Sequence, residues 1–534
     1  MNILDDIDKM TREAPQQAAL KIPRRGSSHD LTYEMITFEQ LNARIAMTCT
    51  YLFSQGIVRG TKVLVMVPPG EDLLVLVFSL LKAEAVPIVI DPGMGVKNFF
   101  KCVRRVQPTA FVACPKARFL FTILSLFVKS LRKKVIFSER LKRNIRERGF
   151  ACDLLHDTNW DRTAAVLFTS GSTGHPKGAV YTYRQLNAQA EALQEAFHFQ
   201  SGEVDLSMLP VFSLYSPILN MTAIVPEMDP SHPSAFNPAD IVNAMHRCKV
   251  TNSFGSPRLW TKIADYCEAQ HVKLPSLKRV FLAGAPVHPQ LLRRVQVLLP
   301  SGQVYTPYGA TEALPIACIS ASEVLGETYD KTLQGCGTCV GKPLPGVRVH
   351  IIPITNEPLA ALPETLATRV IGEIVVQAPY VSESYMNDAA ATQKAKIVEN
   401  GVVWHRMGDV GYLDEQGRLW FCGRKVERVV SDDGKIYYTD CCEAIFNVHP
   451  QVFRSALIQY KRGSSVVPAV VIEPKVMPSS RREKMALLDS VKALGKKFET
   501  TRDIDHFFLY KHFPVDVRHN AKIHRLALSR YFSK

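Results

Sequence analysis

Thr169-Ser-Gly-Ser-Thr-Gly-His-Pro-Lys-Gly178 is the stretch that decides how this 534-residue chain is interpreted. It follows an apolar run, Ala164 to Phe168, that is typical of a buried strand. The glycines let backbone N–H groups approach a ligand closely, while hydroxyls and a lysine add donors and positive charge. The sequence therefore predicts a phosphate-binding loop. Its lysine spacing differs from the Walker pattern, and the alternative is a flexible linker, which this order of residues rarely forms.

The length and composition predict a globular protein of more than one domain. The chain is too long for a single core, and its 46% hydrophobic and 22% charged residues are ordinary globular values. The first residues are acidic and polar, unlike a secretory signal, and no apolar run is long enough to span a bilayer. Twelve cysteines lack disulfide-like spacing. We therefore expect reduced thiols and a cytoplasmic location, with zinc or redox chemistry at Cys336-Gly-Thr-Cys339 as a minor alternative.

The net charge of +15 predicts an anionic partner such as a nucleotide, an acidic lipid or a nucleic acid. The charge is concentrated in residues 118–148, where an apolar run from Phe119 to Val128 is followed by many lysines and arginines. Such a segment suits contact with a membrane surface. A packed helix with a solvated basic face is the alternative. Because no recognition motif accompanies the charge, we expect no nucleic-acid binding.

Strand and helix patterns alternate in the first part of the chain. Val63 to Val67 reads as a buried strand, Leu73 to Ala85 has helical apolar spacing, and Val86 to Asp91 reads as a second strand. A helix is also predicted over Tyr183 to Phe197. This order predicts an α/β fold with parallel strands and crossover helices.

The phosphate loop resembles that of the adenylate-forming superfamily, which contains acyl-CoA synthetases, luciferases and peptide-synthetase adenylation domains. The resemblance extends over nearly the whole chain through the segments Val280–Pro286, Tyr305–Glu312, Gly337–Pro343, Gly372–Val376, Met407–Arg424 and Pro514–Ile523. It implies a large N-terminal domain of twisted sheets with crossover helices, residues 1–424. It also implies a small mobile α+β domain, residues 425–534.

The resemblance implies an ATP and Mg²⁺ site. Its catalytic residues would be Lys522, Glu312 and Thr169, with Glu312 also as the metal ligand. The residues expected to bind the nucleotide are Ser170, Gly171, Ser172, Thr173, Gly174, Lys177, Gly284, Ala285, Pro286, Tyr308, Gly309, Ala310, Thr311, Asp409 and Arg424. Asp409 is expected to accept hydrogen bonds from the ribose hydroxyls and Arg424 to donate to ribose or phosphate oxygens. A structural salt bridge is the alternative for each.

The expected acyl pocket is where the chain departs from most acyl-CoA synthetases. Its pocket residues are Phe212, Ser213 and Tyr215, and Ser213 stands where a histidine is usual. In the segment expected to form the hinge, Val426 replaces the usual aspartate and Lys425 is adjacent.

Several motifs are closest to the branch of olefin β-lactone synthetases. They include Ile90–Met94, Pro226–Pro230, His405–Gly411 and Arg518–Lys522. The branch implies that a long-chain 2-alkyl-3-hydroxy acid is activated as acyl-AMP and closed to a β-lactone. It also implies partner enzymes that handle the acyl chain. The alternatives are a fatty-acid CoA ligase, for which coenzyme A is the second substrate, and a nucleotide-binding scaffold without activity.

Overall fold

The computed structural model describes residues 4–25, 31–90, 94–148, 159–169, 176–209, 212–229, 235–463, 465–515 and 523–533. Its α-helices are α1 (Asp5–Glu13), α2 (Phe38–Ser54), α3 (Glu71–Lys82), α4 (Val96–Val106), α5 (Phe119–Phe127), α6 (Glu139–Arg148), α7 (Tyr183–Phe197), α8 (Tyr215–Ile218), α9 (Pro238–Arg247), α10 (Pro257–Ala269), α11 (Pro289–Leu298), α12 (Ala321–Glu323), α13 (Tyr329–Leu333), α14 (Ala389–Ala395), α15 (Thr439–Phe446), α16 (Arg481–Gly495) and α17 (Arg525–Phe532). Among these described helices, none is long and apolar enough to cross a membrane.

The strands alternate with these helices along most of the chain. They are β1 (Ala18–Arg25), β2 (Leu31–Thr37), β3 (Lys62–Met66), β4 (Val86–Ile90), β5 (Ala110–Ala113), β6 (Lys133–Ile136), β7 (Thr163–Thr169), β8 (Lys177–Thr182), β9 (Val204–Ser207), β10 (Thr222–Ile224), β11 (Asn252–Gly255), β12 (Arg279–Leu282), β13 (Gln303–Ala310), β14 (Ala313–Ser320), β15 (Thr338–Pro343), β16 (Arg348–Ile352), β17 (Gly372–Gln377), β18 (Ser384–Tyr385), β19 (Lys396–Glu399), β20 (Val402–Leu413), β21 (Leu419–Arg424), β22 (Val429–Val430), β23 (Ile436–Tyr437), β24 (Val452–Arg462), β25 (Ser465–Pro474) and β26 (His506–Leu509).

The strands within the first 424 residues form two large sheets. One has the order β18-β8-β7-β4-β3-β5-β6, in which β7, β4, β3, β5 and β6 run parallel to one another and β8 is antiparallel to β7. The other has fourteen strands among the described residues, parallel from β9 to β13 and antiparallel from β13 through β21. The predicted α/β class is confirmed. Its antiparallel half adds strands that the alternating pattern did not indicate.

The local predictions hold wherever the apolar period is clear. Helix α7 covers the predicted Tyr183–Phe197, and Thr182 and Gln185 form a capping box at its start. Helix α3 was expected over Leu73 to Ala85 but runs from Glu71 to Lys82. It ends early because Glu84 adopts a left-handed conformation, with φ of 50°, that turns the chain into β4.

A separate sheet lies in the last hundred residues. Strands β24, β25 and β26 make a three-stranded sheet, which packs with α15, α16 and α17. The apolar runs Ala456–Ile458 and Val466–Ile472 lie in β24 and β25. A short 3₁₀ turn, Lys425–Glu427, connects this unit to β21.

Candidate active site

The two strands that bracket the predicted phosphate loop are antiparallel neighbours. Thr169 at the end of β7 pairs with Lys177 at the start of β8. Gly178 must remain glycine, because a Cβ there would lie 2.8 Å from the ring of Phe168. The predicted ligands Ser170, Gly171, Ser172, Thr173 and Gly174, the side chain of Thr169, and Lys522 lie outside the described residues.

Lys177 and Glu312 both contact Tyr385. The Lys177 ammonium lies 5.1 Å from the ring centroid of Tyr385, a cation–π distance. The Tyr385 hydroxyl donates a hydrogen bond of 2.8 Å to Oε1 of Glu312, which is only 8% exposed. Two expected nucleotide residues, far apart in sequence, are thus joined by a residue that the sequence did not single out.

A buried ammonium adds positive charge behind Glu312. Lys396 donates to the backbone carbonyl of Ser382 and lies 5.7 Å from the Tyr385 ring. Burial lowers the pKa of Lys396 to about 7, and the nearby Glu312 carboxylate opposes that shift. Burial likewise lowers the pKa of the neighbouring His405 well below its usual value. The Lys396 ammonium is therefore close enough to Glu312 for the two charges to interact.

Asp409, Arg424 and Tyr308 form a second cluster. Asp409 on β20 and Arg424 on β21 are cross-strand partners, and Nη1 of Arg424 donates to Oδ1 at 2.6 Å. The Tyr308 hydroxyl donates to Oδ2 of Asp409 at 2.6 Å. Asp409 is 2% exposed, whereas the Arg424 side chain is 38% exposed. Asp409 raises the pKa of Arg424. The structural ion pair considered for each residue is therefore present, and its arginine remains accessible.

The β13–β14 hairpin joins the two clusters, since Tyr308 and Glu312 lie four residues apart on it. Gly309 forms a register shift there, and a Cβ at Gly309 would lie 2.6 Å from the carbonyl oxygen of Ala313. The backbone oxygen of Thr311 accepts a hydrogen bond from the Tyr181 hydroxyl, and Ala310 pairs with Ala313. Glycine at this bulge thus brings the expected ribose-binding and metal-binding residues to one edge of the sheet.

The segment Gly284-Ala-Pro286 directly follows β12, the neighbour of β13. Gly284 has φ of 89°, a left-handed conformation that glycine adopts without strain. The chain therefore turns sharply at the carboxyl end of a parallel strand, the usual place for ligands in α/β sheets.

An aromatic row lies beside this edge at the expected acyl pocket. Phe212 stacks on Phe254 with ring centroids 4.1 Å apart, and Phe254, Phe281 and Tyr305 continue the stack across β11, β12 and β13. Ser213 shares the short 3₁₀ turn of Phe212 and is partly buried. The wall formed by these rings is apolar and suits an alkyl chain.

Tyr215 and Ser216 tie the pocket segment to the core. The Tyr215 hydroxyl donates to the side-chain oxygen of Gln189. The Ser216 hydroxyl donates to Asp205 at 2.7 Å, and burial raises the pKa of Asp205 to about 7. Ser216 thus satisfies a buried carboxyl group.

Neither thiols nor a ligand cluster indicate a transition-metal centre in the part of the chain that the structure describes. No group of three or more His, Cys, Asp or Glu side chains there is arranged to hold a metal. Every cysteine in that part is free, including Cys336 and Cys339.

Residues 11–386 match the family of AMP-binding enzymes. The chain belongs to this family. It is 40% identical to the olefin beta-lactone synthetase of Xanthomonas campestris pv. campestris, over 99% of this chain and 97% of that protein. It is 38% identical to the olefin beta-lactone synthetase of Stenotrophomonas maltophilia, over 100% and 98%. The predicted family is confirmed.

The fold agrees with solved structures as well. The o-succinylbenzoate coenzyme A synthetase of Bacillus subtilis, solved with ATP and magnesium ion, superposes with a TM-score of 0.75 at 18% identity and covers 98% of each chain. As a member of the AMP-binding enzyme family, the chain is an ATP-dependent ligase that activates an acid as acyl-AMP.

Two residues of the site escaped sequence reasoning, Tyr385 and Lys396. Tyr385 lies on a two-residue strand, too short for any periodic signal, and its place depends on the pairing of β18 with β8. Lys396 looks like any surface lysine in the sequence. Only the three-dimensional structure reveals that it is buried.

Proposed function

We propose that this ligase activates a long-chain 2-alkyl-3-hydroxy acid and closes the acyl-AMP to a β-lactone. The observation that carries the proposal is the identity to olefin beta-lactone synthetases along nearly the entire length of both chains. In the first step a carboxylate oxygen attacks the α-phosphorus of ATP and pyrophosphate leaves. In the second step the 3-hydroxyl oxygen attacks the acyl carbon, its proton is lost, and AMP leaves.

The nucleotide would lie along the edge that carries both clusters. Lys177 and the Thr169–Gly178 loop hold the β- and γ-phosphates, and the Gly284–Pro286 turn and Tyr308 face adenine. Asp409 accepts the ribose hydroxyls, for which an ionised carboxylate with two oxygens is well suited. Because Arg424 is 38% exposed, it can turn toward ribose or phosphate oxygens while Asp409 binds the sugar.

Glu312 fits a Mg²⁺ ion that arrives with ATP. Magnesium in such sites is held by one or two carboxylates plus phosphate oxygens, so a single buried carboxylate suffices. The ion would neutralise charge on the polyphosphate. Tyr385 orients Glu312 through its 2.8 Å hydrogen bond.

Lys522 would act from the small domain, which we propose comprises residues 425–534. The anchoring of the connecting turn supports this boundary. Lys425 donates to Glu373 at 2.8 Å and to the carbonyl of Thr355 at 2.9 Å, both in the large unit. Two residues later, Glu427 accepts from Arg525 of the small unit at 2.9 Å. Val426, which is exposed, lies between these two anchored residues and is therefore the expected pivot.

The second step needs no further substrate. An internal hydroxyl is already held beside the acyl carbon, so the entropy cost of bringing two reactants together is largely avoided. The strained four-membered ring takes its energy from the mixed anhydride with AMP. The apolar wall at Phe212 and its neighbours, with Ser213 and Tyr215, would hold the alkyl chains and keep water from the anhydride.

Mass spectrometry of the products tests the proposal. The enzyme is incubated with ATP, Mg²⁺ and a 2-alkyl-3-hydroxy long-chain acid, with and without coenzyme A. We expect the acid to lose one water without coenzyme A. Ordinary thioester formation is the second candidate, favoured if only free acid or acyl-AMP forms until coenzyme A is added.

For the cellular setting we propose a cytoplasmic enzyme that receives a poorly soluble acid from partner enzymes. Residues 118–148 would contact a membrane or such a partner. The apolar run from Phe119 to Val128 and the excess of basic residues after it support this proposal.

A further inference from the structure

Helices α4 and α5 contact each other and expose both cations and apolar side chains. Residues 94–138 contain ten lysines and arginines and no aspartate or glutamate. Eight of the ten are exposed: Lys97, Lys101, Arg104, Lys116, Arg118, Lys129, Arg132 and Lys134. The other two are bonded within the protein, since Arg105 pairs with Asp388 at 2.5 Å and Lys133 donates to the carbonyl of Gly56.

The apolar part of this α4–α5 face lies on α5. Helix α5 turns Leu124 into the core and exposes Phe119, Ile123, Leu126 and Phe127, with exposed fractions of 58%, 38%, 75% and 49%. These four residues are spaced four, three and one apart, so they share one side of the helix. Large apolar side chains grouped in this way on a surface are a usual mark of an interaction site.

Helix α4 is joined to α5 and supplies the charge. Phe100 of α4 contacts Phe127 edge-on at 5.9 Å, and the Arg104 guanidinium lies 5.3 Å from the Phe127 ring centroid. Lys97, Lys101 and Arg104 are spaced four and three apart and form the exposed side of α4. None of the eight exposed cations forms a salt bridge with a carboxylate in the described ranges.

We propose that the α4–α5 face docks the enzyme on anionic lipid bilayers. Exposed apolar side chains accompanied by cations match the surface of an anionic bilayer, in which acyl chains lie beneath negative headgroups. A nucleic acid would leave the apolar side chains unsatisfied. An apolar protein groove would not account for eight exposed cations.

This face overlaps the segment 118–148 but differs from it in content. It adds α4 and omits α6, whose cations alternate with Glu139 and Glu147 and whose Lys142 is bonded to Asp72 at 2.8 Å. The opposite side of α4 reaches the active site, because Arg105 donates to the carbonyl of Pro176, at the end of the phosphate loop, at 3.1 Å. A membrane-bound α4 would place that loop near the bilayer, where a long-chain acid partitions.

Vesicle sedimentation tests the proposal. The purified chain is mixed with phosphatidylcholine vesicles or with vesicles that also contain phosphatidylglycerol, at low and high salt. We expect binding to the anionic vesicles only, weakened by salt because the headgroup charge is screened. The assay contains no ATP and no acid, so its result is independent of the proposed reaction.

Two variants and a matched control locate the face. Replacing Lys97, Lys101 and Arg104 by Gln should weaken binding about a hundredfold, since each cation near an anionic surface contributes a factor of about five. Ile123→Ser with Leu126→Ser should weaken it about tenfold or more, because the apolar area is lost. The control replaces Arg140, Arg143 and Arg148 of α6 by Gln and should bind nearly as the parent does.

Thermal melting of all variants checks folding, and unchanged melting is expected because each substituted residue is exposed or partly exposed. The proposal is overturned if the parent does not bind anionic vesicles. It is also overturned if the α6 control loses as much binding as the α4 variant, because the effect would then be one of net charge alone.

Discussion

Two carboxylate–arginine pairs lie on the neighbouring strands β17, β20 and β21, and they differ in burial. Asp409 pairs with Arg424, whose side chain is 38% exposed. Glu373 pairs with Arg406, and the two side chains are 0% and 3% exposed. Lys425, the residue after Arg424, joins the second pair by donating to Glu373 at 2.8 Å. The consecutive residues Arg424 and Lys425 thus bind different carboxylates, Asp409 and Glu373.

The difference in exposure separates a binding role from a structural one. Arg406 donates to both oxygens of Glu373, at 3.0 and 2.7 Å, and to backbone carbonyls, so its donors are already used within the protein. Arg424 makes one short bond to Asp409, and 38% of its side chain is exposed. A ligand can therefore compete for the first pair but not for the second. Each prediction below tests this contrast.

The largest expected effect follows from breaking the buried pair. Arg406→Met should lower the free energy of unfolding by about 3–5 kcal/mol, because Glu373 would keep a buried charge without its main partner. Chemical denaturation measures the change. The matched control is Arg369→Met, which removes a pair with Glu415 whose side chains are 68% and 60% exposed. That control should cost about 0–1 kcal/mol, and equal losses in both variants would refute the contrast.

Breaking the accessible pair should affect the ligand more than the fold. Asp409→Asn should weaken ATP binding about 10- to 100-fold, because hydrogen bonds to a charged group are worth about 1.5–3 kcal/mol in total. Unfolding should become easier by less than in Arg406→Met, since solvent can reach Arg424. Calorimetric titration with ATP and Mg²⁺ gives the affinity. Unchanged affinity with a large loss of stability would make Asp409 a structural residue.

Asp205 is a third buried carboxyl group, and unlike Asp409 and Glu373 it has no ion pair with a cation among the described residues. Asp205 accepts a hydrogen bond from Ser216, and burial raises its pKa to about 7. An aspartate in the unfolded chain has a pKa of about 3.9. The stability that protonated Asp205 contributes is therefore fully present below about pH 4 and is lost as the pH rises through about 7.

Asp205→Asn should remove the loss of stability that occurs as the pH rises through about 7. We expect equal free energies of unfolding near pH 4 and a variant that is about 1–3 kcal/mol more stable than the parent near pH 8. Urea denaturation at several pH values measures the difference. A gap between variant and parent that stays constant with pH would show that Asp205 does not titrate in this range.

The sequence could predict those features of the fold that depend on residues close together along the chain. The bounds of α7 follow from apolar spacing and a capping box, and the strands β3 and β4 follow from short apolar runs. The placement of Asp409 beside Arg424 needed only two strands and their register. These features lie within one hairpin or one helix, where periodicity and turn residues carry the information.

Features that depend on distant pairing were missed. Tyr385 reaches Glu312 only because β18 adds to the edge of β8, more than two hundred residues earlier in the chain. The sequence could not tell that Lys396 is buried or that Lys425 belongs to Glu373. The apolar run of α5 was found, but its exposure was not, because an apolar helix that packs and one that faces outward read alike.

Acid-dependent exchange of labelled pyrophosphate into ATP tests the central claim that this site forms an acyl-AMP. The assay uses a 2-alkyl acid that lacks the 3-hydroxyl, so the adenylate cannot close and the first step stays reversible. We predict exchange without coenzyme A. Lys522→Ala should reduce it about a thousandfold while ATP binds nearly as before, since a cation that acts on transition-state charge lowers the rate more than the affinity. No exchange in the parent enzyme, or equal losses of exchange and ATP affinity in Lys522→Ala, would contradict the account.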